Sequence, residues 1–154
     1  MRLPRRNRRR PGAVSLEALV IFLVFMTLCL GMLDLGIGVL QYHLVSEAAR
    51  QGARQAIVHG QMAPAGWNGG PWGPSTVNEK ANVTGVPLVT AIQPYLVGID
   101  LSQVTIKAQW LDGGNSADQR VSVTVTSTYQ PSITLIFGNT TYSLSATSTM
   151  PIAH

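Results

Sequence analysis

The sequence predicts an α+β protein: a long N-terminal membrane-spanning helix followed by a small antiparallel sheet packed on the helix's extracytoplasmic half. Two observations carry this. An apolar run broken by a single charge fills Ala18–Leu40, and from Val104 onward apolar residues recur at every second position. Composition agrees. Of 154 residues, 45% are apolar and only 12% charged, about half the usual charged share, so the chain is neither disordered nor an ordinary charged-surface domain. Its length suits one modest domain.

Residues 1–12 form a basic leader. Six of the eleven basic residues are Arg2, Arg5, Arg6, Arg8, Arg9 and Arg10, and beyond Gly12 five Lys/Arg face seven Asp/Glu. The net charge of +4 is therefore concentrated ahead of the fold. A nucleic-acid-binding domain spreads basic residues over a folded face, so no nucleic-acid partner is expected. The leader reads instead as a topology signal, with no further twin-arginine signature.

Residues 13–40 hold the predicted transmembrane helix. Twenty-three residues, Ala18–Leu40, interrupted only by Asp34, extend roughly 35 Å as a helix, enough for a ~30 Å hydrocarbon core. A cleaved secretory signal has a shorter apolar region, and a cut at Ser46-Glu47-Ala48 would need a leader containing Asp34. Arginines before the span, with no comparable cluster after it, place the N-terminus in the cytoplasm and residues 41–154 outside.

Residues 41–59 continue the helix, which is expected from about Ser15 to His59. Tyr42, Val45, Ala49, Gly52, Ala53, Ala56 and Ile57 recur at three- and four-residue steps. Ala48, Ala49, Gly52, Ala53 and Ala56 make a small-residue face for close approach of a helix or a sheet. Residues 60–78 read as a loop: Gly60–Ser75 contains five Gly, three Pro and two Trp in sixteen residues. Trp67 and Trp72 there have two readings, an adhesive tip or rings folded back onto the nearest apolar surface, and the second is favoured.

Residues 79–154 form the predicted α+β domain. Glu79–Leu96 is ambiguous, since Ala81, Val89, Ile92 and Leu96 suit a helix that Gly85 and Pro87 interrupt. Three strands then follow by alternation: Val104–Trp110, Val121–Tyr129 and Tyr142–Met150, with turns at Asp112–Asp118 and Gly138–Asn139. One face of each is Ser/Thr-rich. The other needs a cover, and the outer half of the long helix is the obvious one.

No catalytic constellation is expected. His43, His59 and His154 have no metal-like spacing, no phosphate loop appears, and Cys29 alone forms neither a disulfide framework nor a Cys-based zinc site. Cys29 within the apolar helix reads as a small hydrophobe. The Asn-x-Thr triplets at Asn82 and Asn139 are common by chance. No metal, cofactor or small-molecule substrate is predicted.

The stretch Arg10-Pro11-Gly12-Ala13-Val14-Ser15-Leu16-Glu17 stands directly before the apolar run. Glu17, near the head of the predicted helix with Ser15 as a cap candidate, gains from the helix dipole. A carboxylate near the hydrocarbon boundary is still costly without a partner. Asp34, about 24 Å along the helix from Ala18, is placed at the outer interface, either wetted by headgroups or touching another protein.

Here the chain resembles the type IV pilin superfamily, with its class III signal peptide. The run GAVSLEALVIFLVFMTLCLGMLDLG, followed by Ala48-Ala49-Arg50-Gln51-Gly52-Ala53-Arg54, looks like the TadE-like pseudopilins of tight-adherence (Tad, Flp-type) pilus systems. The resemblance covers about residues 8–59 well and 119–151 more loosely. It departs at Ala18 and Leu35, where family members often have an aromatic, and at Ile37, where they often have an Arg. It implies cleavage by a prepilin peptidase after Gly12, leaving Ala13 as the mature N-terminus and Glu17 as its fifth residue. It further implies that Glu17 pairs with the amine of a neighbouring subunit, that Asp34 is an assembly residue, and that Ala48, Ala49, Arg50, Gly52, Ala53 and Arg54 form a helix contact segment. The partners implied are the prepilin peptidase, other pilins or pseudopilins and the secretion platform. The location implied is the bacterial inner membrane, single-pass, with possible entry into the pilus. The competing expectation is a signal-anchored cell-envelope binding domain that keeps its leader.

Overall fold

The computed structural model describes residues 11–67, 69–132, 138 and 140–153. The Arg leader at 1–10, Asn139 of the second turn and of one Asn-x-Thr triplet, and His154 lie outside the described residues.

One helix, α1, runs unbroken over Pro11–Val58 for 48 residues, about 70 Å at 1.5 Å per residue. It starts ahead of the expected Ser15 because Pro11 is a natural first helical residue: its fixed φ suits the helix and its missing N–H would have no partner there. Glu17 consequently lies beyond the first turn, which holds no acid, and its share of the dipole interaction is smaller than a cap position would give.

Four strands follow: β1 (Val77–Lys80), β2 (Val104–Trp110), β3 (Arg120–Tyr129) and β4 (Tyr142–Pro151). They form one sheet in the order β1-β2-β3-β4, every pair antiparallel. The three alternating segments are thus strands, and the fold is α+β as expected. β1 was not expected. Val77-Asn78-Glu79-Lys80 has one half-buried and three exposed residues, so it lacks the apolar alternation that marks a strand. It owes its conformation to pairing with Thr105–Ala108 of β2. The ambiguous segment Glu79–Leu96 divides: Glu79 and Lys80 belong to β1, and α2 covers Pro87–Ile92 with Pro87 in its first turn, preceded by Gly85 at φ +91°, a conformation open to glycine at little cost.

The register places Val104, Ile106, Ala108, Val121, Val123 and Val125 fully buried on one face. On the other, Thr124 meets Thr147 at 2.8 Å, Thr126 meets Ser145 at 3.1 Å and Thr149 donates to Ser122 at 3.1 Å. Cross-strand hydroxyl pairs of this kind support a solvated sheet face.

The buried face is covered by the C-terminal half of α1, which packs on β3 and β4. Val45, Ala48, Ala49, Ala53 and Ala56 are buried there. Gly52 marks the closest approach: a Cβ would lie 2.6 Å from Ile92 Cδ1 and 3.0 Å from Val123 Cγ1. Leu88, Val89 and Ile92 of α2 complete the core beside it. Strands and helix run side by side. Tyr129, at the end of β3, lies against Gly38. At the opposite end, the Ala153 N–H donates to the Ile57 carbonyl at 3.0 Å.

Candidate assembly surface

Among the described residues, nothing covers the N-terminal half of α1. Leu16, Leu19, Val20, Ile21, Phe22, Leu23, Val24 and Phe25 are all more than half exposed. Only 6% of the most apolar window, of mean hydropathy 2.5, is buried. A core helix of a soluble domain is mostly buried, whereas a helix apolar on all sides with no protein around it matches a lipid environment.

The residues implied as the processing and assembly site lie at the head of this rod. Gly12, Ala13 and Glu17 are all exposed. Among the described residues, and apart from the helix's own backbone, no atom comes within 4 Å of a Cβ built at Gly12, so no other element packs over the peptide bond after it. It lies within the first turn of α1, where the amides have no intrahelical partner and the turn opens at little cost. Among the described residues, the Glu17 carboxylate makes no hydrogen bond or ion pair.

Asp34 has a different environment from either expectation. It is 5% exposed. Its Oδ1 accepts the Ser132 backbone N–H at 3.3 Å, and its own carbonyl accepts the Tyr129 hydroxyl at 2.8 Å. Asp34 therefore ties the span to the membrane-proximal end of its own sheet. Gly38, one turn on, lets the Tyr129 ring lie on the helix, since a Cβ there would stand 3.3 Å from Cε1. Burial, reinforced by the Asp34 charge and hydrogen bond, raises the Tyr129 pKa, keeping the phenol a donor. The strand alternation gave Tyr129 a face but not this role.

The Ala-Ala-Arg-x-Gly-Ala-Arg segment splits by direction. Ala48, Ala49, Gly52 and Ala53 are buried under the chain's own sheet. Arg50 and Arg54 point outward, Arg50 standing 3.9 Å from Glu47 on the same helix. The side chains of this segment open to a neighbour are thus the two arginines.

At the far end of α1, Trp72 is folded back into the core and Trp67 is 56% exposed. The His59 ring stacks on Trp72 with centroids 3.9 Å apart and planes 6° from parallel. Its Nδ1 lies 2.7 Å from the Gln55 carbonyl, which can only accept, so that nitrogen carries a proton. Asn115, for which no sequence signal existed, joins two loops: its amide donates to the Trp72 carbonyl and its Oδ1 accepts the Trp110 indole N–H. Among the described residues no group of three His, Cys, Asp or Glu is placed to hold a metal ion.

Residues 12–54 match the family model of TadE-like proteins. Over this segment the chain is similar to TadE-like proteins. The matched segment includes Gly12, Glu17, the whole exposed span, Asp34 and the outward arginines, and stops within the part of α1 that the sheet covers. Together with the exposed apolar helix it fits a membrane-anchored component of the Tad pilus system. No curated protein and no solved structure matched the chain.

Proposed function

We propose that this chain is a minor pseudopilin that acts in assembly of a tight-adherence pilus. It enters the inner membrane with its N-terminus in the cytoplasm, loses residues 1–12 to a prepilin peptidase, and contributes to the pilus or its platform through α1. The role is structural and involves no turnover. The observation that carries this reading is the coincidence of the TadE-like match with an exposed Gly12–Ala13 bond and an unpaired Glu17 at the head of a bare apolar helix.

The physical problem in such an assembly is leaving lipid. The span is at home in the bilayer, and transfer into a filament replaces lipid contacts by contacts with neighbouring helices. Glu17 adds to this: an uncompensated carboxylate at the hydrocarbon boundary is costly, and pairing it with the free amine of an incoming subunit relieves that cost as the helices come together. Cleavage before Ala13 is what creates such an amine.

The test is the mass and N-terminal sequence of the membrane-extracted protein from cells with and without their prepilin peptidase. A chain starting at Ala13 only when the peptidase is present is the expected result. An intact N-terminus in both would leave a signal-anchored envelope domain. Glu17→Ala should leave insertion and cleavage intact and reduce piliation; normal pili in that variant would remove the pairing role.

A further inference from the structure

A groove of about 430 Å³ opens where the span meets the sheet. Leu35, Val39 and Tyr42 of α1 form one wall, and Tyr129, Tyr142 and Leu144 of β3 and β4 form the other, with Gly38 between. Its surface is almost wholly carbon. Asp34, at its lower edge, is already engaged with Ser132 and Tyr129 through its carboxylate and carbonyl. The volume lies in the range of ligand sites, and an apolar hollow of this size is poorly satisfied by water.

Its position identifies what fills it. About 20 helical residues cross a hydrocarbon core, and counting from Ala18 puts the far boundary near Ile37, level with the groove. The helical wall also continues downward without a break. Leu28, Met32, Leu35, Val39 and Tyr42 follow one another at four- and three-residue steps, and all are exposed. The groove is therefore the upper end of a stripe that faces lipid. Three tyrosines around it match the interfacial level, where rings with an apolar body and a polar tip concentrate.

We propose that this groove holds one acyl chain of a phospholipid from the leaflet beside the C-terminal domain. The proposal rests on membrane anchoring of α1 but not on a pilus role. A helix from a second copy is a poorer occupant. The small-residue stripe of α1 that permits close helix approach, Ala48 to Ala56, is already buried under its own sheet, and the helical wall of the groove is formed by the bulky Leu35, Val39 and Tyr42. Among the described residues no Lys or Arg lines the groove, so it selects an acyl chain and not a headgroup.

The experiment uses the full chain in phosphatidylcholine vesicles doped with a phosphatidylcholine that carries a diazirine on one acyl chain. Irradiation and peptide mapping should give lipid adducts on Tyr42, Tyr142 or Leu144 as well as along Val20–Leu33. Leu144→Trp, which fills the groove, should lower the groove adducts roughly tenfold by exclusion while those along the span persist. Val39→Trp should do the same from the helical wall if the strand variant misfolds, with near-ultraviolet circular dichroism reporting the fold. Exchange of the carrier for phosphatidylglycerol should leave the pattern unchanged. Adducts confined to the span overturn the proposal, as do groove yields unaffected by both variants. Cross-links from a photoreactive residue at position 144 to a second copy, or within the same chain, overturn it in favour of that occupant. Loss of adducts along Val20–Leu33 as well would instead remove the membrane anchoring on which it rests.

Discussion

The two halves of α1 are one continuous helix made for different surroundings. Up to Leu33 its side chains are large, apolar and exposed on nearly every side; from Val45 to Ala56 the inward ones are small and fully covered. In the first half the sequence supplies bulk for lipid to wet. In the second it removes bulk so that a sheet can come within contact distance of the backbone. The junction is a short stretch around Asp34 and Gly38, where the sheet's end is fastened to the span. Apolar content alone does not distinguish these fates; side-chain size does.

This contrast can be broken from either side. Ile106→Ala, in the fully buried sheet face, should cost about 2–5 kcal/mol of domain stability and leave membrane retention unaltered. Thermal unfolding of the detergent-solubilised protein beside a carbonate-extracted membrane fraction checks both. Val24→Arg, in the middle of the exposed half, should do the reverse. It adds about 2.5–3.5 kcal/mol to insertion and should reduce the integral-membrane fraction, while any protein that folds keeps its melting temperature.

The boundary itself gives smaller effects. Gly52→Ala pushes a methyl against Ile92 and Val123, an overpacking that should cost about 1–3 kcal/mol. The same change at Gly36, where a Cβ meets nothing within 4 Å, should leave stability unchanged or slightly improved. If the two variants melt alike, close approach at Gly52 is not what sets the packing. Tyr129→Phe removes the hydroxyl bond to the Asp34 carbonyl and should cost about 0.5–1.5 kcal/mol, with faster hydrogen exchange in the last turns before Tyr42 as the local readout.

The smallest effect lies far from the helix. Hydrogen bonds from the Arg120 side chain and backbone hold the Asp112 carboxyl below its ordinary value of 3.8. A lowered folded-state pKa contributes stability that is present above the unfolded value and disappears as pH falls through the lowered one. The melting temperatures of wild type and Asp112→Asn should therefore differ slightly at neutral pH and converge below about pH 4. The pair is exposed, so salt should shrink that difference. A gap that persists in acid would mean the asparagine disturbs the turn for some other reason.

How much of this was legible depends on whether a residue's environment is local. The span, the helical extension and β2 to β4 follow from periodicity, because each carries its own apolar pattern and the sheet keeps it in register. β1 does not, since Asn78, Glu79 and Lys80 are exposed and only the neighbouring strand makes them extended. Gly12, Ala13 and Glu17 could be singled out by spacing, and their exposure in the fold leaves them available. The destination of Asp34 could not be read at all. Its partners Tyr129 and Ser132 are 95 and 98 residues away, a separation over which no local pattern carries information. The same holds for Asn115, whose amide reaches Trp72 from 43 residues away.

The unbroken course of α1 has a mechanical consequence. The sheet is fastened to it at both ends, near Asp34 and again at Ile57, so the folded domain and the span share one axis. From Asp34 to Val58 that axis is roughly 36 Å long by its helical rise. A span that leans by about 10° to suit a thinner bilayer would swing the far end of the domain sideways by about 6 Å. Bilayer thickness is thereby written into where Trp67 and the distal loops stand above the membrane, with no hinge in between to absorb it.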